Sequence, residues 1–239
     1  MNLLAENLAQ LEEGIASACR RAGRNRAEVT LMAVSKTHPA STMAEAASLG
    51  LLLFGENRVQ EFADKAPELA TLTPAPTRVH LIGHLQSNKA LRAVELFDGI
   101  DSVDSLKLAE RLNNAATQMG KKLPVLLEVK LSSEESKAGL NPASTETAEL
   151  LERLPELSHL EMQGVMTIAP FGVPEDDTRA CFRSLREWRE RWAQTHPRLD
   201  FSVLSMGMSG DYAQAIEEGA TRIRVGSRLF GLRPPMGIR

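Results

Sequence analysis

The chain carries one tyrosine and two cysteines among 239 residues. Cys19 and Cys181 stand far apart in stretches of helical pattern, with neither a disulfide framework's density nor a metal site's spacing. Both read as reduced thiols, and no metal is expected. No run of about eighteen apolar residues occurs, which argues against a membrane-spanning helix. Residues 1–10 mix glutamate and asparagine with leucine and lack the charged start and apolar centre of a secretory signal. Basic charge is short as well: 28 − 31 leaves a net −3 without a long basic run, so nucleic acid finds no general electrostatic attraction. A glycine-rich dinucleotide turn after an early strand is missing, as are an internal linker, a low-complexity tract and a repeat. A cytoplasmic globule is expected, 43% hydrophobic and 25% charged, of a length that suits one barrel of alternating strands and helices.

Apolar runs of strand length alternate with helical segments along the whole chain. Leu4, Leu8, Leu11, Ile15 and Ala18 make one stripe on a leading helix that ends near Gly23. Strands are predicted at 29–35, 51–54, 78–82, 99–103, 125–129, 160–166, 201–204 and 221–225. Helices are predicted at 43–49, 59–69, 89–96, 106–119, 141–154, 177–194 and up to Glu218, with none after the last strand. The strands are too continuously apolar for a one-faced sheet. The expectation is therefore an α/β fold, a single (β/α)8 TIM barrel over residues 1–239 with an extra N-terminal helix. On the helix at 177–194, Arg179, Arg183, Arg186, Arg189 and Arg191 read as a solvated face.

Polar residues gather where the strands end, and in a barrel those ends converge on one face. The first strand stops abruptly at Lys36. A lysine at the mouth of an apolar pocket loses proton affinity by desolvation and becomes a nucleophile toward aldehydes, which makes Lys36 a candidate Schiff-base residue. Closure brings the first and eighth strands together, and with them Lys36 and Arg224. Gly226-Ser227, and Ser205-Met206-Gly207-Met208-Ser209 beside them, offer N–H groups and hydroxyls to a phosphate. Turns use the same residues. Two adjacent loops beside a lysine and an arginine nevertheless suit pyridoxal 5′-phosphate, whose aldehyde and phosphate sit on different parts of one ring. Arg224 would then face the ring nitrogen, keep it unprotonated and weaken the ring as an electron sink.

Six motifs now carry a resemblance: Ala33-Val34-Ser35-Lys36, Phe54-Gly55-Glu56-Asn57, His80 through Lys89, Glu135-Ser136-Lys137-Ala138-Gly139, Leu204 through Ser209, and Arg224-Val225-Gly226-Ser227. In order and spacing the chain resembles the pyridoxal phosphate homeostasis proteins of the YggS/PROSC type. The resemblance implies a barrel similar to the N-terminal domain of alanine racemase, with pyridoxal 5′-phosphate bound and no established turnover. By motif it assigns the Schiff base to Lys36 and the ring nitrogen's partner to Arg224. The phosphate falls to Ser205, Ser209, Gly226 and Ser227, and Asn57 lines the pocket. Lys130 stands where the family usually shows asparagine. A monomer or weak dimer acting in intracellular cofactor homeostasis is implied, with apo forms of cofactor-dependent enzymes as acceptors and no nucleic acid or membrane as partner. The alternative is a fold-type III amino-acid racemase-like enzyme. It needs a second base, which racemases bring on a tyrosine from a second domain; Tyr212 is the one tyrosine here and no residues remain for such a domain.

His80 reads as a satisfied core histidine and His84 as a residue bordering the pocket. Asp101 and Asp104 resemble an acid–base pair, although strand-exit turns favour aspartate anyway. Arg222 shares Arg224's strand parity, so it too should point inward and require a carboxylate, which the sequence does not name. Among loop lysines Lys89, Lys130 and Lys137, the last is the choice for a transient second cofactor site, with Glu134 and Glu135 beside it.

Overall fold

Short strands that are apolar on both faces require cover on both sides, and this chain provides it with a ring of helices outside and a filled bore within. The computed structural model describes residues 3–73, 76–131 and 138–231. After α1 (Leu3–Arg21), the strands are β1 (Thr30–Val34), β2 (Leu53–Glu56), β3 (Arg78–Leu81), β4 (Gly99–Val103), β5 (Leu123–Glu128), β6 (Leu160–Met166), β7 (Val203–Ser205) and β8 (Arg222–Val225). They alternate with α2 (Ala40–Ser48), α3 (Val59–Leu72), α4 (Ala90–Leu96), α5 (Leu106–Gln118), α6 (Thr145–Arg153), α7 (Glu175–Thr195) and α8 (Tyr212–Glu217), and α9 (Ser227–Phe230) follows β8. All strands are parallel and close in sequence order; β8 returns to β1 with Arg224 opposite Met32.

Local chemistry sets the element ends. The Ser105 and Ser144 hydroxyls accept from the Leu108 and Thr147 amides and cap α5 and α6. α1 buries Leu4, Leu11, Ile15 and Ala18 against α8 and α9, and Asn7 donates to the Leu229 carbonyl at 3.0 Å. Each such leucine or isoleucine contributes roughly 1.5–3 kcal/mol by leaving water. The arginines of α7 stay partly or fully exposed, as expected of a solvated face, and three of them also form ion pairs beyond their own helix. Arg179 reaches Glu217 at 2.7 Å, and Arg183 and Arg186 reach Glu218 at 3.1 and 3.4 Å, tying α7 to the end of α8. Four strands begin later than predicted, β1 and β8 by one residue and β2 and β7 by two. Leu51 donates back to Ala46 at the close of α2, and Asp200 accepts the Ser202 amide, so those residues belong to turns. The one-turn helix α9 is not anticipated by the sequence pattern.

Inside the barrel the filling is partly ionic. Arg222 on β8 donates to Asp101 on β4, four strands away, at 2.9 Å, and Asp101 meets the His80 ring on β3 at 2.8 Å. All three are buried. Burial alone would raise the Asp101 pKa, yet His80 and Arg222 outweigh it and hold the carboxyl below its ordinary range. Gly99 makes this possible, since a Cβ there would lie 2.6 Å from the imidazole of His80. Arg222 thus finds its carboxylate, and His80 is the satisfied core histidine that the sequence suggested.

Candidate active site

The turn after β1 is held from beneath. Ser35 donates to Glu56 Oε1 at 2.7 Å, and Lys65 on α3 donates to the same oxygen at 2.8 Å. The Lys65 ammonium also reaches the carbonyls of His38 and Ser35 at 3.0 and 3.2 Å and Glu61 at 3.2 Å. Between those carbonyls Thr37 adopts φ 68°, and its amide donates to Glu61. A β-branched residue in this region costs on the order of 1–3 kcal/mol, and it persists where surrounding bonds over-determine it. The clamp fixes the direction in which Lys36 leaves the backbone. Burial pushes the Glu56 carboxyl up, and Lys65 and Ser35 offset part of that shift.

Lys36, Asn57, Ser209, Arg224, Gly226 and Ser227 line one cavity of about 660 Å³ at the carboxyl ends of the strands. Ser205 does not. It lies fully buried below, where its hydroxyl accepts from Arg224 Nη1 at 2.8 Å, while Arg224 Nη2 donates to the Thr167 carbonyl at 2.8 Å. These bonds aim the guanidinium from the floor of the cavity. Burial lowers the Arg224 pKa against the pull of Asp101, Glu128 and Asp211, and a guanidinium keeps its charge at neutral pH. On the β7–β8 side, the Ser209 hydroxyl accepts the amides of Gly226 and Arg228 at 3.3 and 3.4 Å. Two backbone donors and two serine hydroxyls therefore face this end.

The aspartate pair separates in the structure: Asp101 lies in the bore, and Asp104 meets His84, which borders the cavity, at 3.1 Å. Lys130 also lines the cavity; Lys89 does not, and Lys137, with Glu134 and Glu135, lies outside the described residues. Three residues escaped the sequence reading. Glu56 stood in a quoted motif at the end of β2 without a role, and Lys65 gave no signal, because their pairing is tertiary. Glu128 did give one, being a carboxylate at the end of an apolar strand, the same signature that singled out Lys36. It is 8% exposed, its Oε2 has no hydrogen-bond partner, and burial, helped by Asp104 and opposed by Arg224 and His84, pushes its pKa up to about 7.

The profile of the alanine racemase N-terminal domain matches residues 7–234. The chain is similar to the pyridoxal phosphate homeostasis protein of Escherichia coli strain K12, 40% identical over 236 residues, with 98% of each chain covered. PipY of Synechococcus elongatus PCC7942, solved without and with PLP bound, superimposes with TM-scores of 0.85 and 0.83. It is 44% and 43% identical, over 95% of this chain and 100% of that one. An alanine racemase of Clostridium difficile 630 matches with a TM-score of 0.75 at 16% identity, over 100% of this chain and 59% of that one, which is a likeness of fold alone.

Proposed function

The chain belongs to the pyridoxal phosphate homeostasis proteins, a family built on the alanine racemase N-terminal domain, and from that premise we propose that it binds pyridoxal 5′-phosphate as a Schiff base on Lys36. Its role is to hold the cofactor in intracellular homeostasis and deliver it to apo enzymes, without robust turnover of its own. The observation that carries this reading is the shared cavity: an amine on a clamped turn, a buried guanidinium on the floor and a donor-rich end on β7–β8.

The residues fit the group. Gly226 and Arg228 spend long bonds of 3.3 and 3.4 Å on one hydroxyl oxygen, and a phosphate oxygen is a stronger acceptor for the same N–H groups. Lys36 supplies the nucleophile for an aldehyde. Arg224, pinned by Ser205 and Thr167, would meet the ring nitrogen as a donor that cannot give up its proton, which would discourage carbanion chemistry. Ser205 then serves the site by orienting Arg224, with Ser209, Ser227, Gly226 and Asn57 nearer the ligand. The cofactor, when bound, supplies an electrophilic aldehyde and a visible chromophore.

The test is spectroscopic. Purified protein mixed with the cofactor should show a visible band that borohydride fixes, with the label on the peptide containing Lys36. Lys36→Ala should fold and lose the label, and Arg224→Glu should shift the band by letting the ring nitrogen hold a proton. A label that survives Lys36→Ala at the same peptide overturns the assignment.

A further inference from the structure

Donors cluster on the β1, β7 and β8 side of the barrel mouth, where Lys36, Arg224 and the serine–glycine turns lie. Two carboxylates line the same cavity: Asp211 after β7, which accepts the Met208 amide at 2.5 Å and lies close enough to Arg224 to act on its charge, and Glu128 on the opposite wall. Glu128 closes β5, four strands around the barrel from β1, and lines the same cavity as Lys36. Asp104, after β4, stands beside it and pairs with His84, which lines the cavity too. The carboxylate has an oxygen, Oε2, without a hydrogen-bond partner although the residue is more than nine-tenths buried. A buried acceptor left in this state costs about 1–3 kcal/mol, more for a charged group, which calls for a donor that none of the described residues provides.

We propose that Glu128 is the recognition point for the ammonium group of a second ligand, a small primary amine that enters the cavity opposite Lys36. Such a ligand brings three N–H donors and a positive charge to the wall where Glu128 faces the cavity with Asp104 beside it. The inference rests on the reading of Lys36 given above. An amine arriving as an ammonium must lose a proton before it can exchange with a lysine on an aldehyde. At Glu128 an N–H proton passes to a carboxylate oxygen. The amine keeps the electron pair of that N–H bond, Glu128 becomes a carboxylic acid, and nothing is oxidised or reduced. Glu128 is matched to this step. With its pKa at about 7, the gap to an alkylamine near 10.4 is about 3 units, against about 6 for an ordinary glutamate. The charged groups bearing on it are Asp104 after β4, His84 after β3 and Arg224 on β8, with Lys130 two residues along; its β6 neighbour is the uncharged Met166.

The test uses n-propylammonium as probe, with 1-propanol as its neutral isostere, titrated calorimetrically into the cofactor-free full chain. At pH 8 the wild type should bind propylammonium, and Glu128→Gln should bind it at least tenfold more weakly, while propanol binds to neither. Lowering the pH from 8 to 5.5 should weaken the wild type at least tenfold and leave the variant flat. If Glu128→Gln does not fold, this wild-type pH series alone decides. With cofactor loaded, propylamine should discharge the visible band at least tenfold more slowly in Glu128→Gln. Equal binding of propylammonium by wild type and variant, equal binding of propanol and propylammonium by the wild type, or a flat wild-type pH series overturns the proposal. Borohydride labelling separates it from its premise: a Glu128-dependent ammonium site without label at Lys36 sinks the Lys36 reading and leaves this site standing.

Discussion

Between strands and helices, Ile15, Phe54, Phe182 and Leu185 belong to one continuous apolar cluster that runs around the whole barrel. Inside the bore a separate apolar patch of Met32, Val34, Leu53 and Ile82 shares the space with the ionic chain of His80, Asp101 and Arg222. The usual bore of this fold is packed with branched aliphatics. The outer layer draws its stability from area removed from water, which no proton can change. The inner layer depends on partners: each of its charges is tolerable only while the opposite charge is present. The cavity sits directly on that inner layer, so the cavity's floor, Arg224, inherits its sensitivity to pH and to single substitutions.

Asp101→Ala should break the comparison most severely. It strands Arg222 and His80 without their carboxylate and should lower unfolding free energy by about 3–5 kcal/mol in urea titrations. Replacing His80, Asp101 and Arg222 together by leucine, leucine and methionine should cost less than that single change. The effect should depend on acid. The Asp101 carboxyl is held below its ordinary range in the folded state, so its contribution is present above about pH 4 and fades as pH falls further. Leu185→Ala, in the outer layer, should lose about 2–5 kcal/mol, the same below about pH 4 as above it. Equal pH dependence in the two variants would erase the distinction between layers.

Glu128→Gln should move the other way. The folded pKa, raised to about 7 from 4.5, means that the fold favours the protonated form. This favourable contribution is complete below about pH 4.5 and is lost as pH rises through 7. The amide should therefore be the more stable protein above pH 7, by at most about 3 kcal/mol, with the advantage closing toward pH 4.5. Thermal melts across that range decide it. Ser205→Ala should show the smallest change, about 1–2 kcal/mol, from removing one of two acceptors that pin Arg224. It should also broaden the cofactor's visible band, which a purely structural serine would leave alone.

Much of the architecture was legible because apolar runs and their breaks are local. β4 and β6 fall on the residues predicted, bounded by glycine or a polar exit. α7 extends two residues further at its start because Pro174 takes the cap position. The bore was far less legible. Parity places Arg222 inward, but its partner Asp101 lies 121 residues away and is fixed only when the eight strands close. Lys65 is a helix lysine like any other until α3 packs its ammonium under the β1 turn. Motif position grouped Ser205 with Ser209, and the structure separates them by depth: one hydroxyl faces Arg224 underneath, the other the backbone donors of the β8 turn. Glu128 carried a readable sign, a charge ending an apolar strand.

The pairing of β1 with β8 has a further consequence for how the protein comes into being. Lys36 leaves the ribosome long before Arg224, so the pocket they share cannot form until β8 has been made and has closed on β1. Such long-range pairing is slow to form, because loop closure must precede its reward. A ligand that spans the seam binds only the finished fold, and at a hundredfold excess over its dissociation constant it would deepen the native well by about 2.7 kcal/mol. Cofactor supply and maturation of this chain would thereby be linked through its first and last strands.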